Sequence, residues 1–325
     1  MLKLPDLQET FQKYLKENIF NQTPQELYQP VNYILKLGGK RLRPVILLMS
    51  YNLFKETVEK ALPAAFAIEI FHNFSLLHDD IMDEAPLRRG QPTVHIKYDV
   101  NTGILSGDVM LIYAYQYILQ LEDQSNIPAL MRIFNKVAIE VCEGQQYDMN
   151  FETSQEVKIV DYLKMIELKT SVLLAGAMKM GAVIAGAPEK DANHLYEFGK
   201  NIGIAFQLQD DILDTFGDPE KFGKKVGGDI AQNKKTYLLL KAMELAKGSR
   251  KQALSDLITQ NYIEEATKIK AITQIYIDLG IRQDAEELKE KYLQKAFEHL
   301  NAVEVPSKHK EELNQLANEL MGRET

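Results

Sequence analysis

The 325-residue sequence predicts an all-α fold, a large single-domain helical bundle, from three observations. Apolar residues recur at helical spacing along almost the whole chain, and convincing alternating strand patterns are absent. No repeat, low-complexity stretch or linker interrupts this pattern, so we expect residues 1–325 to form one domain. Turn residues fall between the apolar segments, at Gly38-Gly39, 86–92, 103–107, 217–228, Gly248 and Gly280.

Two of the predicted helices are apolar on all sides. The first spans about residues 59–83, and the second spans residues 171–187 with Lys179 inside it. A helix that is apolar all round belongs at the centre of a bundle. Polar residues inside the first helix therefore indicate function, and they precede an acidic cluster: Glu69, His72, Asn73, Ser75 and His78.

Composition excludes several classes of protein. The formal net charge of −8 argues against nucleic acid as a partner. One cysteine, Cys142, cannot form a disulfide framework, so we expect a reducing, cytoplasmic location. Residues 1–10 lack the apolar core of a secretory signal, and no apolar run is long enough to span a membrane. The excess of acidic residues favours metal cations as partners.

Two acidic clusters share one pattern. They read Asp79-Asp80-Ile81-Met82-Asp83 and Asp210-Asp211-Ile212-Leu213-Asp214. Residues four apart on a helix lie within about 40° of each other, so the first and last aspartates of each cluster repel unless a cation binds. Magnesium takes such oxygen ligands and leaves room for phosphate oxygens. Pro86 and Gly217 follow the clusters, which places both at helix ends whose dipole favours cations. We expect the two ends to line one metal-lined cavity.

Basic residues lie beside both clusters. The segment from Gly38 to Pro44 contains three of them, and Arg88-Arg89 directly follows the first cluster. Two lysine pairs, Lys224-Lys225 and Lys234-Lys235, follow the second cluster. Arginine holds phosphate with paired donors and lysine acts as a point charge, so these groups predict diphosphate binding.

These motifs resemble the trans-polyprenyl diphosphate synthases, the family of farnesyl and geranylgeranyl diphosphate synthases. Residues 77–90 resemble the first aspartate-rich motif of the family and residues 207–214 the second, within a resemblance from about Lys36 to Thr236. The resemblance implies a bundle of the isoprenoid synthase type, a homodimer, and about three magnesium ions per site. It implies that isopentenyl diphosphate condenses with dimethylallyl, geranyl or farnesyl diphosphate by ionisation, condensation and elimination.

The resemblance also implies roles for single residues. Those implied to hold isopentenyl diphosphate are Lys40, Arg43, His72 and Arg89. The implied magnesium ligands are Asp79, Asp83 and Asp210, and the catalytic set also includes Asp80, Asp211 and Asp214. Those implied to grip the allylic diphosphate are Arg88, Lys169, Lys224 and Lys234. Thr170 and Gln207 are implied at the reacting end, and Gly144-Gln145 with Asp148 in the pocket lining.

Product length is predicted from the residues one turn before Asp79. Wheel geometry favours Ser75, within about 40° of the Asp79 direction, over Phe74 at about 140°. The resemblance instead implies that Phe74, the large residue, stops the growing chain. An aromatic there, a small residue beside it and no insertion between Asp80 and Asp83 resemble archaeal-type geranylgeranyl synthases. We expect the product to be geranylgeranyl diphosphate, with farnesyl diphosphate as the alternative. The other interpretation of Phe74 is that it only packs in the core.

Other interpretations stay open at this stage. A class I terpene cyclase also begins with an aspartate-rich helix, although its second metal motif usually mixes Asn, Ser or Thr with Glu. A non-catalytic subunit of a heteromeric synthase would share the fold. A di-metal carboxylate bundle would use the Glu69-x-x-His72 spacing but needs a second such pair. His72 and His78 could be structural, and Asp108 reads as the N-cap of an apolar helix.

Overall fold

The computed structural model describes residues 1–154, 156–218, 226–260 and 263–322. The chain divides into two compact units, each described by itself. The first contains Met1–Ala138, Leu173–Tyr196 and Ala302–Leu313, and the second contains Ile139–Val172, Glu197–Asn301 and Asn314–Thr325. The described residues are helical almost throughout, which confirms the all-α prediction. The assignment of residues 1–325 to one domain stays a prediction.

The first half of the chain builds helices around a central one. The helices are α1 (Leu4–Glu17), α2 (Gln25–Lys36), α3 (Leu42–Asn52), α4 (Leu62–Met82), α5 (Val94–Lys97), α6 (Val100–Leu119) and α7 (Ile127–Thr153). A short antiparallel hairpin follows α4, with β1 (Leu87–Arg88) paired to β2 (Gln91–Pro92). The second half begins with α8 (Ile159–Ile166), a π-helical turn (Glu167–Ser171), α9 (Val172–Ile184) and α10 (Glu189–Phe216). It continues with α11 (Gly228–Ala231), α12 (Tyr237–Leu245), α13 (Gly248–Thr259), α14 (Glu265–Asp278), α15 (Ile281–Ala302) and α16 (Ser307–Met321).

Both helices predicted to be central are buried. In α4 the run Ala64–Phe71 is buried at every position, and in α9 every residue from Val172 to Met178 is buried. Such continuous burial explains why neither helix shows a polar face in the sequence. Among the described residues, no helix has both the length and the apolar character that crossing a membrane requires.

The turn predicted at residues 103–107 is wrong, because both glycines lie inside α6. A Cβ at Gly107 would come within 2.2 Å of the His78 ring, and one at Gly103 within 3.0 Å of Ile81. The glycines therefore allow α6 to approach α4 closely. The N-cap predicted at Asp108 is wrong for the same reason. The cap of α6 is Asp99, whose side chain accepts a hydrogen bond from the backbone N–H of Thr102 at 2.8 Å.

The second unit has a hydrophobic core of its own. Tyr162 from α8, Leu208 and Ile212 from α10, and Ile272 and Tyr276 from α14 are all buried in it. Leu208 and Ile212 lie four residues apart on one face of α10, among the polar residues of the second acidic motif. Packing of this face therefore fixes the direction in which those polar side chains point.

Candidate active site

The first acidic motif occupies the last turn of α4, as predicted. Asp80 is 2% exposed and receives three hydrogen bonds from the guanidinium of Arg88, at 2.7 to 2.9 Å. Asp79 lies farther from the same guanidinium, with 3.8 Å between Oδ2 and Nη2. Asp83 is exposed and ends the helix as its C-cap. The charge of Asp80 is therefore already compensated, and Asp79 and Asp83 form the more accessible face of the motif.

The hairpin after α4 explains how Arg88 reaches back to the motif. Its two turn residues, Arg89 and Gly90, both have positive φ, at 53° and 74°. Two consecutive residues of positive φ are typical of the type I′ turn that closes tight hairpins. Thr93 then fixes the base of the hairpin, because its hydroxyl donates to the carbonyl of Ala85 at 2.7 Å.

Two further basic residues, Arg43 and Arg89, lie near the start of α3. Nη1 of Arg43 lies 3.1 Å from Nε2 of His72, and the Arg89 guanidinium donates to the carbonyl of Gly38. Gly39 has φ of 111°, and a Cβ there would lie 2.8 Å from the Arg89 guanidinium carbon. Glycine is therefore favoured at this position by its backbone conformation, and its missing side chain leaves the space that the Arg89 guanidinium occupies.

The electrostatics of this group favour an anion. Burial and then the charge of Arg43 hold the pKa of His72 well below its usual value, so the ring is neutral and its Nε2 accepts from Arg43. Burial lowers the pKa of Arg43 to about 10, which the charge of Glu69 partly offsets. Nε of Arg43 is buried and has no hydrogen-bond partner among the described residues. Crowded cations and an unsatisfied buried donor are the features that a diphosphate group would neutralise.

Glu69 is not a metal ligand in this arrangement. It forms a buried ion pair with Arg41 and accepts from Nδ2 of Asn73 at 2.8 Å. Arg41 also donates to the carbonyl of Leu35, at the end of α2. Since Glu69 is committed to these partners, the Glu69-x-x-His72 spacing does not form a di-metal site. Arg41, which the sequence grouped with the substrate-binding residues, stabilises the fold beneath them.

In the second acidic motif, Asp211 is buried and bound by two side chains. It accepts a hydrogen bond from the hydroxyl of Tyr162 and one from Nε2 of Gln207 at 3.3 Å. Burial raises the pKa of Asp211 to about 8, so this carboxyl is protonated at neutral pH. Sequence analysis missed Tyr162, because Tyr162 and Asp211 are 49 residues apart in the chain and no local pattern links them.

Asp214 bonds to the backbone at the start of α11. Its carboxylate accepts a hydrogen bond from the backbone N–H of Asp229 at 2.9 Å. Its backbone carbonyl accepts one from the backbone N–H of Gly227 at 2.5 Å. Asp210, the first aspartate of this motif, is partly exposed.

The lysines of the second unit that were predicted to bind diphosphate, and Lys235 beside them, make different contacts. Nζ of Lys169 lies 2.6 Å from Oδ2 of Asp148. Lys234 is 59% exposed and lies 3.6 Å from Asp229, whereas Lys235 donates to the carbonyl of Phe151 near the end of α7. Lys235 therefore caps a helix, and Lys234 is the member of the pair available to a ligand. Lys224, predicted to grip the allylic diphosphate, lies outside the described residues.

Phe74 and Ser75 make different contacts in α4. The ring of Phe74 packs against Phe71 and His78, with centroids 5.5 and 4.8 Å apart. Phe71 packs in turn against Phe134 of α7, at 5.2 Å. The hydroxyl of Ser75 donates to a carbonyl one turn back in α4, at 2.8 Å. Phe74 is thus part of a row of rings that leads from the motif towards α7, and Ser75 is not.

Comparison with known proteins decides the family. The Polyprenyl synthetase family matches residues 24–276. The chain belongs to the polyprenyl synthetase family. A geranylgeranyl diphosphate synthase of Sulfolobus acidocaldarius is 40% identical over 89% of this chain and 88% of its own length. A geranylfarnesyl diphosphate synthase of Aeropyrum pernix is 37% identical over 93% of this chain and 95% of its own length. A crystal structure of a geranylgeranyl pyrophosphate synthase is 46% identical, with a TM-score of 0.94 over 100% of both chains.

Membership of the family confirms the predicted activity as a prenyltransferase. Polyprenyl synthetases use magnesium, isopentenyl diphosphate and allylic diphosphates. Among the described residues, no group of three or more His, Cys, Asp or Glu side chains converges to hold a metal by itself. Magnesium is usually held by one or two carboxylates together with substrate phosphates and water. Asp79, Asp83 and Asp210 each carry a carboxylate of the kind that binds magnesium.

His72→Gln should change how stability depends on pH. The folded-state pKa of His72 lies below its unfolded value near 6.5. The unfolded chain therefore binds the extra proton, and stability falls as pH drops from about 6.5 towards the folded pKa, at up to about 1.4 kcal/mol per pH unit. The variant, which cannot titrate, should lose less stability over this range. Urea unfolding between pH 7 and pH 5 measures it.

His299→Gln, at a partly buried position of α15, is the matched control. It should keep the pH dependence of the wild-type protein. A His72→Gln protein whose stability declines as steeply as that of the control would contradict a neutral, buried His72.

Proposed function

We propose that this polyprenyl synthetase makes geranylgeranyl diphosphate by adding isopentenyl diphosphate to shorter allylic diphosphates. The observation that carries the proposal lies in the first unit. The partly buried Arg88–Asp80 ion pair lies beside Asp79 and the exposed Asp83, and the Arg43–His72–Arg89 group adjoins the same helix. A metal-binding face and an anion-binding group on α4 are what a diphosphate substrate needs. The relatives named geranylgeranyl diphosphate synthase support the choice of product.

Isopentenyl diphosphate is proposed to bind the basic group at the start of α3. Arg43 and Arg89 provide paired donors, neutral His72 provides a donor from its second ring nitrogen, and exposed Lys40 adds a positive charge. Binding would give the buried Nε of Arg43 the acceptor that it lacks among the described residues. The Arg41–Glu69 pair beneath would hold this group in place.

The allylic diphosphate is proposed to bind through metal and basic side chains. Magnesium, about three ions, would be held by Asp79, Asp83 and Asp210, and would neutralise charge on the leaving group. Basic residues proposed to grip the same diphosphate are Arg88, Lys169, Lys234 and Lys224, the last outside the described residues. Arg88 can serve while bound to Asp80, because its guanidinium has donors beyond those it uses there.

The proposed reaction has three steps. The allylic carbon–oxygen bond breaks, and its electron pair leaves with pyrophosphate. The double bond of isopentenyl diphosphate then donates its electrons to the allylic carbon and forms the new carbon–carbon bond. A proton is lost to the released pyrophosphate as the new double bond forms, so no side chain acts as base. Thr170 and Gln207 would stabilise the positive carbon with their dipoles, and the buried apolar residues of α4 would help to exclude water.

Phe74→Ala tests product length. If Phe74 blocks the growing chain, its removal opens space towards Phe71 and α7, and the variant should release products at least one isoprene unit longer. If Phe74 is only core packing, the variant should lose about 3–5 kcal/mol of stability with an unchanged product. Chromatography of the products with thermal unfolding in parallel distinguishes the two.

Phe66→Ala is the matched control, because Phe66 is buried in the same helix among other aromatic rings. It should lower stability without lengthening the product. A wild-type product longer than geranylgeranyl diphosphate would overturn the product assignment, and geranylfarnesyl diphosphate would match the Aeropyrum pernix relative. A farnesyl product would show that the block lies closer to the metals.

A homodimer is proposed through the outer face of α6. Leu105, Ile112 and Leu119 recur every seventh residue and are 59%, 64% and 50% exposed. A seven-residue repeat gives a continuous apolar seam suited to a second helix, and such exposed stripes mark interaction surfaces. A second copy of the chain brings the same seam.

Light scattering of Ile112→Glu tests the homodimer. A buried glutamate on each copy should reduce the measured mass from two chains to one. Lys13→Glu, at an exposed position of α1, should leave the mass of the wild-type protein unchanged. A monomeric wild-type protein would refute the homodimer, and a dimeric Ile112→Glu protein would refute this seam.

A further inference from the structure

The π-helical turn Glu167–Ser171 carries two of the proposed catalytic residues, Lys169 and Thr170. The N–H of Val172 donates to the carbonyl of Glu167, five residues back, where an α-helix would bond four back. Turns of this kind are rare, and they are frequent at functional sites because the extra residue changes where backbone and side-chain groups point. The wider backbone must be accommodated by whatever packs on either side of it.

Two glycines provide that space. An ideal Cβ at Gly144 of α7 would lie 2.2 Å from the backbone nitrogen of Lys169 and 2.6 Å from the carbonyl carbon of Leu168. An ideal Cβ at Gly203 of α10 would lie 2.7 Å from Cα of Ser171. These neighbours are backbone atoms, which cannot rotate away as a side chain could. Even alanine at either position therefore requires the turn or its neighbouring helix to move.

Polar contacts also hold the turn and the helix that precedes it. Asp148, one helical turn after Gly144, lies 2.6 Å from Nζ of Lys169. The hydroxyl of Ser171 donates to the carbonyl of Ile166 at 3.2 Å. On α10, Asp211 lies two turns after Gly203 and accepts from Tyr162 in α8, directly before the π turn. Both α7 and α10 thus combine a glycine contact with a carboxylate contact.

We propose that Gly144 and Gly203 are positioning residues of the prenyl transfer reaction. Their missing side chains let α7 and α10 close on the π turn and fix the backbone from which Lys169 and Thr170 project. This inference rests on the proposed roles of Lys169 and Thr170. A displacement of about 1 Å at a reacting centre can lower the rate by about 100-fold, and a methyl group at 2.2 Å from a backbone nitrogen forces a shift of about that size.

Gly144→Ala and Gly203→Ala test the inference, with Gly181→Ala as the matched control. Gly181 lies in α9, and its Cβ would come within 2.2 Å of the Leu47 carbonyl oxygen, which is also backbone but touches no proposed catalytic residue. All three variants should lower the melting temperature. Only the first two should lower kcat, by about 100-fold, with the KM of each substrate changed much less.

Further variants separate this inference from the proposed function. Lys169→Ala and Thr170→Ala should each lower kcat; if neither does, the proposed roles and the positioning inference both fail. If they do, and the three glycine variants lose kcat only in proportion to their melting temperatures, the positioning inference alone fails. Should Gly203→Ala fold poorly, adding Ser171→Gly removes the crowded Cβ and hydroxyl. The double variant should then regain kcat, and a folded double variant that regains none of it would overturn the role of Gly203.

Discussion

Asp79→Ala and Asp210→Ala should each lower kcat at least about 100-fold, because each removes a carboxylate that would bind magnesium against the departing pyrophosphate. The fold should survive, since neither aspartate is buried and both variants keep the hydrogen bonds of Asp80, Asp211 and Asp214. Steady-state kinetics at saturating magnesium, with circular dichroism of each variant, measures both effects.

Asp108→Ala is the matched control, because it removes an exposed aspartate from α6 without touching either motif. It should keep the kcat of the wild-type enzyme. Excess EDTA should abolish wild-type activity, and added magnesium should restore it. Undiminished turnover in EDTA, or equal losses in all three aspartate variants, would end the assignment of the two motifs to metal binding.

Arg43→Ala should raise the KM for isopentenyl diphosphate about 10-fold to 100-fold and change that for the allylic substrate far less. The expected size follows from a hydrogen bond between charged groups, which contributes about 1.5–3 kcal/mol. Lys234→Ala should do the reverse, because Lys234 follows the second motif and is exposed beside Asp229. Lys224→Ala carries the same expectation as Lys234→Ala. Initial rates over a grid of both substrate concentrations give the two constants.

Lys235→Ala provides a control from the adjacent position. Lys235 is bound to the carbonyl of Phe151, so its loss should lower the melting temperature and leave both KM values near those of the wild-type enzyme. If Arg43→Ala and Lys234→Ala raise the two constants equally, the division into two separate diphosphate sites is wrong.

Helix ends and acidic motifs could be predicted because they depend on neighbours in the chain. Apolar periodicity placed α4 and α10, and the following proline and glycine placed Asp79 to Asp83 and Asp210 to Asp214 in their last turns. The same local logic failed at Gly103 and Gly107. Glycine usually weakens a helix, but here its missing side chain lets α6 pack closely on α4, and that packing outweighs the local preference.

The roles of individual aspartates needed the tertiary structure. Six carboxylates in two copies of the same pattern look equivalent in sequence. In the structure, however, Asp80 is bound by Arg88 from the hairpin that follows α4, and Asp211 is bound by Tyr162 from another helix. Burial by distant segments raises the pKa of Asp211, and no local pattern contains that information. Wheel geometry likewise separated Phe74 from Ser75, but only packing showed which rings Phe74 contacts.

The sequence by itself determined the all-α class, the two acidic motifs, the basic residues beside them and the family, because these follow from helical periodicity and from residue types at fixed spacing. Only the tertiary structure decided that Arg41 and Lys235 hold the fold while Arg43 and Lys234 are placed to bind, and that a π turn sits between Gly144 and Gly203. The physical reason is distance along the chain. Charge compensation, burial and close backbone contact join residues that no local pattern connects.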